Sequence, residues 1–191
     1  MTRATQVLVA MILLACSGHA EAQGLDMRDV MGGGPNFFQN GGGVSPIPRT
    51  TVNYSSQYAP GTIVVNTAER RLYLVLDNGQ ALRYGIGVGR DGFRWGGTHR
   101  ITAKKQWPGW TPPRQMLARR PDLPRHMSGG IENPLGARAL YLGSTLYRIH
   151  GSNEPETIGQ AVSSGCFRMT NEDVTDLYER VHVGTVVVVK N

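Results

Sequence analysis

A thiol, an imidazole and a guanidinium stand close together in one stretch, RIHGSNEPETIGQAVSSGCFRM, at positions 148–169. His150 precedes Cys166 by sixteen positions, and Arg168 follows the cysteine by two. A free thiol is mostly protonated at neutral pH and needs a neighbouring base to become a nucleophile. His150 is such a base. Arg168 carries a planar fork that matches a carboxylate. Gly165 lets the chain turn tightly, so the backbone N–H groups of Gly165 and Cys166 can face an oxyanion formed on an attacked carbonyl. The outline is a cysteine acyl-transfer site. Structural readings stand beside it: a free cysteine is often a small buried hydrophobe, and a buried arginine often pairs with a loop carboxylate. The company of Cys166 is polar, however, with Ser163, Ser164 and Arg168 around it, and Gly151, Ser152, Ser163 and Ser164 are candidate substrate contacts. His99, His126 and His182 fall in no motif, and no histidine pair has the spacing of a zinc site, so neither metal nor cofactor is expected.

Strands must position these groups. Positions 62–66 are apolar, 71–76 alternate through Leu72, Leu74 and Leu76, and Asp77-Asn78-Gly79 reads as a hairpin turn into a strand over 81–88. Gly85, Gly87 and Gly89 have no helix after them, which argues against a phosphate loop and for close strand packing. A strand is expected over 98–106, and the proline-rich segment 107–124 interrupts regular structure. Trp107, Trp110 and Tyr141 are candidates for a wall under the substrate, with aromatic cover of a sheet as the other reading. The loop 121–134 contains Gly129-Gly130 and could act as a lid. Strands follow over 139–142 and 146–149, the latter delivering His150, with a short turn over 158–162. A helix over 172–181, capped near Asn171, carries Val174, Leu177, Tyr178 and Val181 on one face. The run 185–189 is apolar throughout, as in a strand at the centre of a sheet.

The remaining chain organises as a leader and a tether. Arg3 precedes an apolar run too short to cross a bilayer, and Ala20-Glu21-Ala22 is an A-x-A cleavage pattern, which makes 1–22 a secretory signal peptide. Leu13-Leu14-Ala15-Cys16 also resembles a lipobox, which would lipidate Cys16; otherwise the mature chain carries no transmembrane anchor. Either way the chain is exported, and Cys166 is left without a disulfide partner, since the sequence has two cysteines. Positions 23–60 are rich in glycine and proline and read as a flexible linker, with Phe37 and Phe38 as local contacts, ahead of a mostly β domain over 61–191. The net charge of +6 accompanies no helix-turn-helix, zinc or aromatic RNA-binding pattern, so no nucleic acid partner is expected and an anionic polymer is an equal match.

The His-Gly pair, the Ile-Gly in the loop, and Ser-x-Gly-Cys-x-Arg-Met resemble the signature of the YkuD-like L,D-transpeptidases of bacterial cell walls. WPGWTPPRQM at 107–116 and NPLGARALYLG at 133–143 extend the resemblance over roughly the last two thirds of the chain. Ser164 departs from it, standing where many members carry a second histidine. The resemblance implies a β-sandwich or barrel-like fold with the cysteine at the sheet rim and one main helix after it. It also implies a backbone carbonyl orienting His150, and Arg168 orienting the substrate carboxylate or local backbone. The implied reaction is attack on the bond before the terminal D-alanine of a peptidoglycan stem peptide, in the periplasm or cell envelope. The acyl group then passes to an amine of another stem or of an envelope protein. Water as acceptor would make it an L,D-carboxypeptidase, and a wall-binding module without chemistry is the remaining alternative.

Overall fold

The structure, a computed structural model, describes residues 45–191. The leader, Cys16, Phe37 and Phe38 lie outside the described residues. Alternation sets the first hairpin: in β3 (Arg71–Val75) Leu72 and Leu74 are buried while Tyr73 is half-buried. The chain then turns at Asn78 and Gly79 with φ of 59° and 70°. Two positive φ values in a row match the right-handed twist of strands, so β4 (Gln80–Gly85) returns antiparallel on β3. Before them, β1 (Thr50–Asn53) pairs with β4 and β2 (Ile63–Asn66) with β3.

Two features unite the rest. The first is β11 (Val186–Lys190), the apolar run near the C-terminus, which lies between β2, in parallel, and β6 (Gly97–Gln106), antiparallel. A strand covered on both faces of its sheet reads as a continuous apolar run, and Val187, Val188 and Val189 are all buried. The second is β6 itself. Its first residues pair with β11 and its later ones with β7 (Arg138–Leu142), across a register irregularity between Ile101 and Ala103. β7 leads to β8 (Arg148–His150) and β10 (Phe167–Arg168), completing a nine-stranded sheet in the order β1-β4-β3-β2-β11-β6-β7-β8-β10. One apolar cluster draws on both halves of that sheet, with Ile63, Leu72 and Tyr84 from the first and Leu140, Ile149 and Phe167 from the second. The two halves therefore enclose a common core, as expected of a mostly β sandwich. A small parallel pair, β5 (Val88–Gly89) with β9 (Ala161–Ser163), lies beside it.

The main helix, α2 (Asn171–Arg180), buries Val174 and Leu177 against this core. Its cap is Thr170, whose hydroxyl accepts the Asp173 N–H at 3.2 Å, and not Asn171. The Asn171 side chain is spent elsewhere, accepting the Ala137 N–H at 2.8 Å, and a Cβ at Gly136 or Gly151 would run into its oxygen. This one amide holds the entrance of β7 to the exit of β8.

Four expectations change. The stretch before residue 61 is not all tether, because β1 joins the sheet, Ile47 packs where a Cβ at Gly85 would stand, and Arg49 reaches Asp173 and Asp176 at 3.4 Å. The proline-rich segment holds a helix, α1 (Arg114–Arg119), entered from Pro113. The segment 146–149 becomes a strand only at Arg148, with Leu146 exposed, and the turn expected over 158–162 falls at Pro155–Thr157, with β9 after it. The glycines at 85, 87 and 89 behave as close-packing positions: a Cβ at Gly89 would stand 2.5 Å from the Phe93 carbonyl oxygen. A chain started at residue 45 should accordingly be about 2 kcal/mol more stable than one started at residue 61, a difference of roughly 4–8 °C in Tm. Thermal melts of the two would check this.

Candidate active site

Strand pairing brings the chemical groups together. β8 and β10 run parallel, with Ile149 opposite Phe167 and His150 opposite Arg168. Cys166 immediately precedes β10, so it arrives beside the start of β8, where its Sγ faces the Leu146 carbonyl oxygen at 3.9 Å. Cys166 and His150 both line a cavity of about 600 Å³.

His150 is buried, and its Nδ1 lies 2.5 Å from the Gly151 carbonyl oxygen. A carbonyl can only accept, so Nδ1 carries the hydrogen and Nε2 keeps its lone pair. Burial pushes the ring's pKa down to about 3, the charges of Arg168 and Arg148 add to this, and the Gly151 bond opposes it. Burial pushes the Cys166 thiol up, against the pull of Arg148's charge and backbone N–H and of Arg168. Both groups are pushed toward their uncharged forms, and both face the same cavity.

The turn that carries the thiol is held from three sides. Gly165 has φ of 107°, and a Cβ there would collide with the Tyr147 ring. Trp95 stacks on that ring at 4.4 Å and donates its indole N–H to the Gly165 carbonyl at 2.6 Å. The Ser163 hydroxyl donates to the Cys166 carbonyl at 2.6 Å and accepts the Gly165 N–H at 3.1 Å. That last bond corrects one expectation: the Gly165 N–H is occupied and is not a free oxyanion donor. The Cys166 N–H has no acceptor among the described residues.

Arg168 is also differently placed. Its Nη1 lies 2.5 Å from Glu154 Oε2 and 3.4 Å from Thr157 Oγ1, with side-chain exposures of 11% for the arginine and 2% for the glutamate. Burial drives the Glu154 carboxyl up to about 7 while Arg168 holds it down. The guanidinium touches the cavity, and its Nη1 is committed to a carboxylate of the protein. Gly151 and Ser152 do not line the cavity; the first orients His150, and the hydroxyl of the second accepts the Glu154 N–H at 2.9 Å. Ser163 and Ser164 do line it.

Of the three candidate aromatics only Trp110 reaches the cavity, buried in a cluster with Leu123 and Leu135. Trp107 is 42% exposed and off the wall, and Tyr141 lies under the guanidinium of Arg148 at 5.3 Å. The loop 121–134 is tied down by Leu123 and by the pairing of Met127 with Trp110, and Pro134 joins the wall. Residues not singled out from sequence complete the site: Phe93, Met116, Arg119, Tyr147 and Arg148. The signal for α1 was present in Pro113 ahead of Arg-Gln-Met-Leu-Ala-Arg, a proline where a helix begins. No cluster of three or more His, Cys, Asp or Glu among the described residues is arranged to hold a metal ion.

The family model described as the L,D-transpeptidase catalytic domain, YkuD, matches residues 60–189, and the chain belongs to that family. Among curated proteins it is 37% identical over 169 residues to the probable L,D-transpeptidase YbiS of Escherichia coli K12, covering 84% of this chain and 54% of the relative. It is 39% identical over 132 residues to the probable L,D-transpeptidase ErfK/SrfK of the same organism, covering 64% and 42%. The chain thus spans about half the length of the curated relatives it matches. Among solved structures, an L,D-transpeptidase from Mycobacterium smegmatis superposes with a TM-score of 0.54 at 17% identity, over 68% of this chain and 58% of that one. A Brucella melitensis protein called a probable carnitine operon oxidoreductase caia is 45% identical with a TM-score of 0.52, over 74% and 92%. The catalytic domain of the Enterococcus faecium L,D-transpeptidase acylated by ertapenem gives a TM-score of 0.54 at 18% identity, over 71% and 100%.

Two outcomes are expected from this geometry. Replacing Arg168 with Ala strands the Glu154 carboxylate in the interior and should cost about 3–5 kcal/mol, whereas Glu154→Gln with Arg168→Gln together should cost less than Arg168→Ala alone; urea denaturation at pH 8 would measure both. His150 has an ordinary pKa of 6.5 and a folded one of about 3. The unfolded chain therefore takes up a proton that the folded chain refuses, and stability present above pH 6.5 is lost as pH falls toward 3. This single group should contribute a slope of about 1.4 kcal/mol per pH unit, and His150→Gln should flatten that part of a stability profile.

Proposed function

We propose that this chain is an exported L,D-transpeptidase acting on peptidoglycan stem peptides. The observation that carries the reading is the parallel pairing of β8 and β10, which sets a thiol and a neutral imidazole with its Nε2 free on one cavity. Cys166 is the nucleophile. As its sulfur bonds to the carbonyl carbon between the stem's diamino acid and the terminal D-alanine, His150 Nε2 takes the thiol proton. The Cys166 N–H donates to the oxyanion. Collapse of the tetrahedral intermediate breaks the C–N bond, the imidazolium returns the proton to the leaving amine, and D-alanine departs from a thioester on Cys166. An incoming amine, deprotonated by the same imidazole, takes the acyl group and frees the thiol. An acceptor amine of another stem would give a wall crosslink, and one of an envelope protein a covalent tether.

The leader pattern at 1–22 supports export to the periplasm or cell envelope, and among the described residues no helix is long and apolar enough to cross a membrane. The folded unit of this reading runs from about residue 45 to 191, behind the shortened tether. The E. faecium catalytic domain acylated by ertapenem supports a test with a drug of that class. Intact-mass analysis after exposure to ertapenem should show one added drug mass on the wild-type chain, mapped to the fragment containing Cys166. The adduct should be absent in Cys166→Ala and slower to form in His150→Ala. Cys166→Ser should keep the wild-type circular dichroism and lose D-alanine release by at least about a thousandfold. Wild-type protein with a reduced thiol that neither takes up the drug nor releases D-alanine would leave a wall-binding module as the better reading. Muropeptide analysis of the products separates transfer to an amine from transfer to water.

A further inference from the structure

Three arginines line the cavity and no acidic side chain does. Arg168 is neutralised from behind by Glu154. Arg119 lies with its guanidinium 5.5 Å from the Phe93 ring centroid, on an exposed turn of α1. Arg148 differs from both. Its guanidinium rests on the Tyr141 ring at 5.3 Å, its Nη2 donates to the Leu146 carbonyl at 3.0 Å, and its Nε has no partner among the described residues. No carboxylate among them pairs with it. The same Leu146 oxygen also faces Cys166 Sγ at 3.9 Å, so one carbonyl fixes the charge and the sulfur side by side.

That juxtaposition matches a particular feature of a peptide cleaved before its last residue. The leaving residue carries a free carboxylate, and only the amide nitrogen and one Cα separate it from the carbonyl under attack. Bond lengths put the two carbonyl carbons within about 4 Å of each other. A cation sharing a carbonyl with the nucleophile is thus at the distance where the terminal carboxylate must lie when the sulfur is in reach of the scissile carbon.

We propose that Arg148, and not Arg168, is the residue that binds the terminal carboxylate of the donor peptide and confines the site to bonds one residue from a free C-terminus. The inference rests on the transpeptidase reading for its substrate. The Tyr141 ring and the Leu146 carbonyl hold the guanidinium at the cavity wall, and no carboxylate among the described residues neutralises it there, so a planar cation stands ready for an incoming carboxylate. Binding of the carboxylate also places a negative charge beside the cation, so the donor itself cancels the charge that faces the sulfur. Arg168, held by Glu154, keeps β10 in register beneath His150 and leaves the ligand role open.

The experiment compares a synthetic stem tetrapeptide ending in D-alanine with the same peptide as its C-terminal amide, reading release of the last residue by wild type, Arg148→Gln and Arg148→Lys. Wild type should favour the acid by roughly ten- to a hundredfold in kcat/KM, the size of a charge-assisted contact. The preference should collapse in Arg148→Gln, chiefly through KM, and be partly kept in Arg148→Lys; thermal melts of the variants confirm that they are folded. An acid preference that survives intact in folded Arg148→Gln overturns the proposal. A second readout does not depend on the transpeptidase reading: the rate of Cys166 alkylation by iodoacetate relative to neutral iodoacetamide. That ratio should fall several-fold in Arg148→Gln, and an unchanged ratio overturns the assignment of Arg148 as the carboxylate site. Failure of wild type to cleave either peptide, with the alkylation ratio falling as expected, would sink the transpeptidase reading and leave the anion site standing.

Discussion

The parallel pairing of β8 with β10 is the constraint on which the site depends. It is short, yet it is braced on its far side by Gly87, which exchanges two backbone hydrogen bonds of 2.9 Å with Arg168. The Met169 N–H closes it below, donating to the His150 carbonyl at 2.9 Å. A slip of one residue would turn every side chain of β10 to the opposite face. Such a slip would carry Phe167 out of the core and break the Arg168–Glu154 pair, each of which is costly by itself. The ion pair therefore acts through the backbone: a buried charge pair is a weak source of stability but a strict judge of register, since only one alignment satisfies it.

The electrostatics of the thiol and imidazole follow from burial more than from their mutual attraction. Both groups are pushed toward their uncharged forms, the histidine downward and the cysteine upward, chiefly because the protein around them replaces much of the water that would stabilise a charge. The bond from Nδ1 to the Gly151 carbonyl fixes the tautomer without supplying a negative charge. A carboxylate in that place would favour an imidazolium strongly; the carbonyl also pulls the ring's pKa upward, but burial outweighs it. The turn holding Cys166 is then set by aromatic stacking, with Trp95, Tyr147 and Phe167 in one contact chain behind it.

Much of this was legible in the sequence, and the gaps have physical causes. The spacing of His150 and Cys166, the apolar run at the C-terminus and the Asn78-Gly79 turn are local signals, and each corresponds to an element of the fold. β1 escaped notice because an edge strand of four residues needs only one neighbour and carries no alternation of its own. The sequence leaves Arg168 open between a substrate carboxylate, the local backbone and a loop carboxylate, because Glu154 sits in a stretch that reads as a polar loop and only the tertiary fold buries it. Arg148 carries no signal in the sequence, since nothing in its neighbours shows that Tyr141 lies beneath it or that Leu146 turns its carbonyl to both the guanidinium and the thiol. Trp95 was missed for the same reason: its role depends on a carbonyl of the distant Gly165.

The central place of β11 has a bearing on how the chain acquires its shape. β2 and β6 are not neighbours; they are joined in the sheet through this strand, whose Val187 pairs with Ile63, more than a hundred positions earlier in the chain. A ribosome or a translocation channel releases β2 early and β11 late, so through most of synthesis the two halves have complementary edges with a gap between them. Contacts of such long range form slowly, and the open edges must be kept from pairing with other chains in the meantime. The sheet is therefore complete only once the last strand, β11, has joined β2 to β6.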